Sequence, residues 1–126
     1  MNLRTPLANA RGLGSAKQGT EHFWHQRVTA IVLVPLTLWL TISLFMLSSS
    51  EHNAILTWMN SPPNTVLLLV FIISAFYHAQ LGVRVVIEDY IHSEWRKIAC
   101  LILVNILVVL AGLVSVLAVL KIFLGI

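Results

Sequence analysis

Three long apolar runs separated by short polar breaks organise the chain, over residues 28–47, 65–87 and 98–120. Each is long enough to cross a hydrocarbon core, which takes about 20 helical residues. Leu, Val and Ile follow one another in these runs without period-two alternation, so they predict helices rather than barrel strands. Polar breaks fall where connections are needed: Ser48-Ser49-Ser50 follows the first run, and Ser61-Pro62-Pro63-Asn64 precedes the second. Ser93 is placed to cap the third helix, with Glu94 favourable at the positive end of its dipole. The predicted fold is all-α and integral to the membrane. Three transmembrane helices occupy residues 28–126, behind an N-terminal arm over 1–27.

Composition strengthens this reading. Of 126 residues, 58% are hydrophobic and 10% charged, whereas a soluble domain uses about 25% charged residues to cover its surface. Lipid or partner subunits must cover the rest. The single Cys100 closes no disulfide within the chain, and a net charge of +3 gives no reason to expect nucleic acid. The placement of that charge is more telling. Arg4, Arg11, Lys17 and Arg27 precede the first run, Arg96 and Lys97 lie in the second connection, and residues 48–64 contain neither Lys nor Arg. The positive-inside rule then puts the N-terminus and the second connection in the cytoplasm and the C-terminus outside. Trp24 and Trp95 fit the inner interface and Trp58 the outer one.

The N-terminus reads as a mature cytoplasmic arm. The first run is too long for a signal-peptide core, contains Pro35, and is followed by no small-x-small cleavage site. Gly12-Leu13-Gly14 with Gly19 has the look of a dinucleotide loop, but no strand and following helix frame it. A flexible arm is the simpler reading.

The first and third runs contain packing devices. Ala111, Ser115 and Ala118 make a stripe of small residues, Asn105 can hydrogen-bond across a helix interface, and Pro35 removes one helical hydrogen bond. The second run carries more chemistry: Tyr77, His78, Gln80 and Arg84, then Glu88, Asp89 and Tyr90. Ionisable groups at membrane depth are costly and usually functional. At 1.5 Å per residue, His78 lies roughly 20 Å from Thr65 and roughly 13 Å from Ile87, near the midplane. Arg84 is close enough to the cytoplasmic end to snorkel and to pair with Glu88 at i+4.

Two readings of His78 stand side by side. In one it ligates a haem. Ser74, His78, Gly82, Val85 and Asp89 share a helix face, and Gly82 leaves room for a flat macrocycle. In the other it is a core histidine hydrogen-bonded to a neighbouring helix, with Gly82 as a packing notch. The remaining histidines, His22, His25, His52 and His92, lie outside the predicted spans. A six-coordinate haem at His78 would therefore take its opposite ligand from a second subunit. His22 and His25 at i,i+3 are too few for a metal site of their own.

The run Tyr77-His78-Ala79-Gln80-Leu81-Gly82-Val83-Arg84-Val85-Val86-Ile87-Glu88-Asp89-Tyr90 resembles the second span of the hydrophobic membrane-anchor family of succinate dehydrogenase (complex II, succinate:quinone oxidoreductase). That family carries His-Ala-x-x-Gly with Asp-Tyr at the helix end. The stretch from Gly12 to Ala30, especially Gly14-Ser15-Ala16-Lys17 and Gln26-Arg27-Val28-Thr29-Ala30, is similar to the start of its bacterial form. Length and three-span plan agree over essentially the whole chain. The resemblance implies that His78 is an axial ligand of haem b, the iron being the metal it holds. It implies that Tyr90, supported by Asp89, hydrogen-bonds ubiquinone, and that Arg27 helps hold the haem propionates or the quinone region. The implied partners are a second membrane-anchor subunit supplying the other haem ligand, an iron–sulfur subunit, a flavoprotein subunit and the lipid bilayer. The chain would anchor an enzyme without containing its dicarboxylate or flavin site, in a bacterial inner membrane rather than a mitochondrial one. Two other readings remain open: a haem b anchor of another quinone-linked oxidoreductase such as fumarate reductase, and a small membrane protein without redox function.

Overall fold

The computed structural model describes residues 5–7 and 18–126. Four helices follow in order: α1 Gln18–Leu47, α2 His52–Asn60, α3 Pro62–Tyr90 and α4 Glu94–Leu124. No strand occurs among the described residues. Helices α1, α3 and α4 are long and apolar enough to cross a membrane, and the three predicted runs lie inside them. Their 30, 29 and 31 residues correspond to roughly 45 Å of helix, against about 30 Å of hydrocarbon core. Each helix therefore outruns the core or crosses it at a tilt.

The excess is most informative in α1. Helix begins at Gln18 rather than near residue 28, with Glu21 favourable in the first turn and no proline before Pro35 to stop it. Residues 18–27 of the expected arm are thus helical. His22 and His25, expected outside the spans, ride on α1 in register with Thr29. The remainder of the arm, including Arg4, Arg11, Lys17 and the Gly12–Gly14 loop, lies outside the described residues.

The first connection also differs from expectation, because residues 52–60 form the short helix α2. Trp58 stacks on Trp39 of α1, ring centroids 5.6 Å apart, so the expected outer-interface tryptophan is also a packing residue. Side chains at the start of α3 cap the end of α2. Thr65 Oγ1 donates to Met59 O at 2.7 Å and Asn64 Nδ2 to Trp58 O at 2.9 Å. Pro62 opens α3 where a missing N–H costs nothing. Ser93 occupies the N-cap of α4 as expected, although its side chain makes no capping bond. Gly125, at φ 68, takes the left-handed conformation that closes α4.

Helix α3 is the middle element and packs along both α1 and α4. The buried positions among the described residues are Thr29 and Leu36 on α1, Thr65, Leu68, Leu81 and Ile87 on α3, and Val119 on α4. Among the described residues no large side chain is fully sealed, while Ile31, Phe45, Leu103, Val114 and many other apolar side chains face outward. That distribution belongs to a multi-pass membrane protein. On α4, Ala111 and Ala118 of the expected stripe are exposed within this chain and Ser115 is half-buried. Gly112 makes the close approach instead, where an added Cβ would rest 3.8 Å from the Phe76 ring. Asn105 does bridge the seam, its Oδ1 accepting from Gln80 Nε2 at 2.7 Å.

Candidate functional site

His78 stands in the middle of α3, half-buried, where the helix faces α1. Its Nδ1 lies 2.9 Å from Thr29 Oγ1. Thr29 is 9% exposed, and its hydroxyl also reaches two carbonyls of its own helix, His25 O at 2.8 Å and Gln26 O at 3.1 Å. Interhelical bonds of this kind contribute about 0.6 kcal/mol on average in membranes. His78 Nε2 makes no hydrogen bond among the described residues and is not one of the sealed polar atoms.

Beside His78 lies an open hollow of about 470 Å³, floored by Ala30, Leu33, Val34, Thr37 and Leu38 of α1. Its walls are apolar apart from Thr37 and the imidazole. Gly82 does not line it. An added Cβ at Gly82 would meet Gln26 Nε2 at 3.7 Å, an ordinary contact distance. A Cβ at Gly82 would thus fit beside a side chain of α1 without displacing it. Arg27 is exposed and stacks over Phe23 at 5.1 Å. By helical register it stands one turn before Ala30, and it does not line the hollow. Among the described residues no three His, Cys, Asp or Glu side chains converge. A metal held by His78 would take its other ligands from a macrocycle or another chain.

Towards the N-terminal end of the same seam the character changes. Tyr77 Oη lies 2.7 Å from His25 Nδ1, and both line a polar pocket of about 420 Å³ with His22, Arg84 and Glu88. Arg84 Nε donates to Glu88 Oε1 at 2.9 Å, the expected i,i+4 pair. Both partners are about half exposed, so the pair contributes roughly 0.3–0.5 kcal/mol. His22 Nε2 and Gln26 Oε1 are buried without a partner.

Tyr90 is the last residue of α3 and is 79% exposed. Helix is continuous from His78 to Tyr90, which separates them by roughly 18 Å along the axis. With Trp95, Arg96, Ala99 and Cys100 it lines a hollow of about 670 Å³ at the turn into α4. Asp89 is also exposed, and neither it nor Tyr90 makes a side-chain hydrogen bond among the described residues. The structure thus leaves two separate groups, His78 at mid-helix and Asp89–Tyr90 at the helix end, with Arg27 on α1 in contact with Phe23.

Residues 1–112 match the model of the succinate dehydrogenase/fumarate reductase transmembrane subunit family. The chain belongs to that family. It is 38% identical over 118 residues to a succinate dehydrogenase hydrophobic membrane anchor subunit of Rickettsia bellii, spanning 91% of this chain and 94% of the relative. The subunit of the same name from Rickettsia conorii is 36% identical, over 83% and 84% of the two chains. That of Paracoccus denitrificans is 32% identical, over 79% and 77%. No solved structure matches the chain. Sequence reasoning singled out His78, Tyr90 and Arg27 but gave Thr29 no role. The signal was present: Thr29 follows His25 by four residues, in register with the polar face of α1, but only an early helix start makes that face.

Proposed function

We propose that this chain is the membrane-anchor subunit of a succinate:quinone oxidoreductase, in which it would supply one protein ligand of haem b and part of a ubiquinone site. Its membrane is the bacterial inner membrane, with the N-terminus and the α3–α4 turn cytoplasmic and the C-terminus outside. The single observation that carries the haem assignment is His78. It is an imidazole at membrane depth with Nδ1 engaged by Thr29 and Nε2 unengaged, beside an apolar hollow. These features fit a haem: a nitrogen donor and an apolar wall for a flat ring, with Arg27 one turn before Ala30 on α1 as the cation that would meet propionates. When bound, the haem would supply reversible one-electron chemistry at iron. The chain's own residues would hold and orient it, keep water from it, and present Tyr90 and Asp89 at the cytoplasmic end.

The partners follow from what the chain lacks. It would supply one mid-membrane histidine, so a second membrane-anchor subunit would bring the other protein ligand. Succinate and flavin belong to a flavoprotein subunit, and an iron–sulfur subunit passes electrons to the quinone site at Tyr90. The named relatives are succinate dehydrogenase subunits, which favours succinate oxidation over fumarate reduction. The test is to purify the complex through a tag on this chain, identify the co-purifying chains, and record a reduced-minus-oxidised visible spectrum. Flavoprotein and iron–sulfur chains should co-purify with a b-type signal, and His78→Ala should abolish that signal. A parental spectrum in His78→Ala would return the histidine to a packing role.

A further inference from the structure

We infer that Thr29 is the positioning residue for His78: it holds the imidazole in the Nδ1–H tautomer and so leaves Nε2 as the free donor nitrogen. The inference deepens the haem reading and rests on it. A threonine hydroxyl carries one proton. Two carbonyls of α1 lie within reach of it, His25 O at 2.8 Å and Gln26 O at 3.1 Å, and His78 Nδ1 lies at 2.9 Å. Turning the proton towards Nδ1 would exchange two carbonyl contacts for one ring contact. With the proton on the α1 side, the oxygen meets Nδ1 with a lone pair, and Nδ1 must be the donor. A neutral imidazole protonated at Nδ1 has its lone pair on Nε2, the form that binds a metal.

The same geometry fixes orientation. Thr29 is 9% exposed and tied to its own backbone, so its oxygen is a stationary point on the neighbouring helix. The His78 ring is pinned to it across the α1–α3 seam. An imidazole whose other N–H donates to an acceptor is a more basic ligand. It therefore favours the oxidised metal, and losing the acceptor should raise the midpoint potential.

The test compares Thr29→Val, Thr29→Ala, Thr29→Ser and His78→Ala in the whole purified complex. Two readouts apply: haem affinity, from the rate of haem transfer to apomyoglobin, and midpoint potential, from dye-mediated titration. Valine keeps the shape and removes the oxygen. It should hold haem about 10–100-fold less tightly, the usual cost of losing an outer-shell partner, and shift the potential upward. Serine should match the parent on both readouts. If the valine complex does not assemble, alanine carries the comparison, since it removes the oxygen without adding bulk. Parental affinity and potential in the oxygen-free variants, with haem absent from His78→Ala, would overturn the role of Thr29 and leave the ligand assignment standing. Serine failing as valine does would also overturn it, because packing of the methyl group would then be the cause. Parental haem in His78→Ala would overturn both.

Discussion

Replacing Tyr90 with Phe is the most direct probe of the quinone site, because it deletes one atom from a residue that the fold does not use. Tyr90 is 79% exposed and makes no side-chain hydrogen bond among the described residues. Removing its hydroxyl therefore leaves no orphaned partner within the chain and should not change assembly. His78 lies roughly 18 Å away along the same helix, so the haem spectrum should stay parental. The expected loss is confined to quinone. A hydrogen bond to an oxygen that gathers negative charge during reduction is worth about 1.5–3 kcal/mol, which corresponds to roughly 10- to 100-fold in kcat/KM for ubiquinone. The assay measures succinate oxidation by the purified complex twice, once with a short-chain ubiquinone and once with a dye that accepts electrons at the soluble head. The first rate should fall by that factor and the second should hold. Equal ubiquinone kinetics in variant and parent across quinone concentrations would refute the reasoning and leave Tyr90 as an interfacial anchor. A parallel fall in the dye reaction would point to a damaged head instead.

Further expectations concern topology and packing. Reporter fusions between Ser48 and Glu51 should read outside and fusions near Ser93 inside, by the asymmetry of Lys and Arg; the opposite pattern would move the Asp89–Tyr90 end away from the cytoplasmic head. A double-mutant cycle with Gln80→Leu and Asn105→Leu should give a coupling energy of about 0.6 kcal/mol in unfolding measurements, the usual size for a membrane interhelical bond. No measurable coupling would mean that the amides are satisfied by other chains in the complex.

The three long helices were legible because unbroken apolar runs admit few alternatives in lipid. The Arg84–Glu88 pair was legible from its i,i+4 spacing and Asn105 as a group able to bond across a helix interface, but its partner Gln80 emerged only with the fold. Helix ends were harder to read. Residues 18–27 are polar enough to pass for an arm, and only their packing on α3, through His25 and Thr29, shows why helix continues there. The short helix α2 was hidden because a nine-residue segment between breakers has no length signature, and its Trp58–Trp39 stack joins residues far apart in sequence. On α4 a stripe of small residues was legible, whereas the close approach to α3 at Gly112, about 100° round the helix from Ala111, is not encoded in composition. His78 stood out by type and depth. Its partner did not, because a threonine near a helix start is unremarkable until the opposite helix is in place.

The scarcity of sealed side chains bears on how this sequence tolerates change. Deleting part of a fully enclosed leucine leaves a void and costs about 2–5 kcal/mol. Positions such as Leu103, Val114 and Leu117, all more than half exposed, enclose nothing, so their surroundings of lipid or a neighbouring subunit close up around whatever replaces them. What they must preserve is solubility in hydrocarbon, a property that any of several residues meets equally well. Much of the surface is thus free to exchange Leu, Val, Ile and Phe with little penalty. The seams at Thr29, Leu81 and Gly112 are not, because shape and polarity are both specified there.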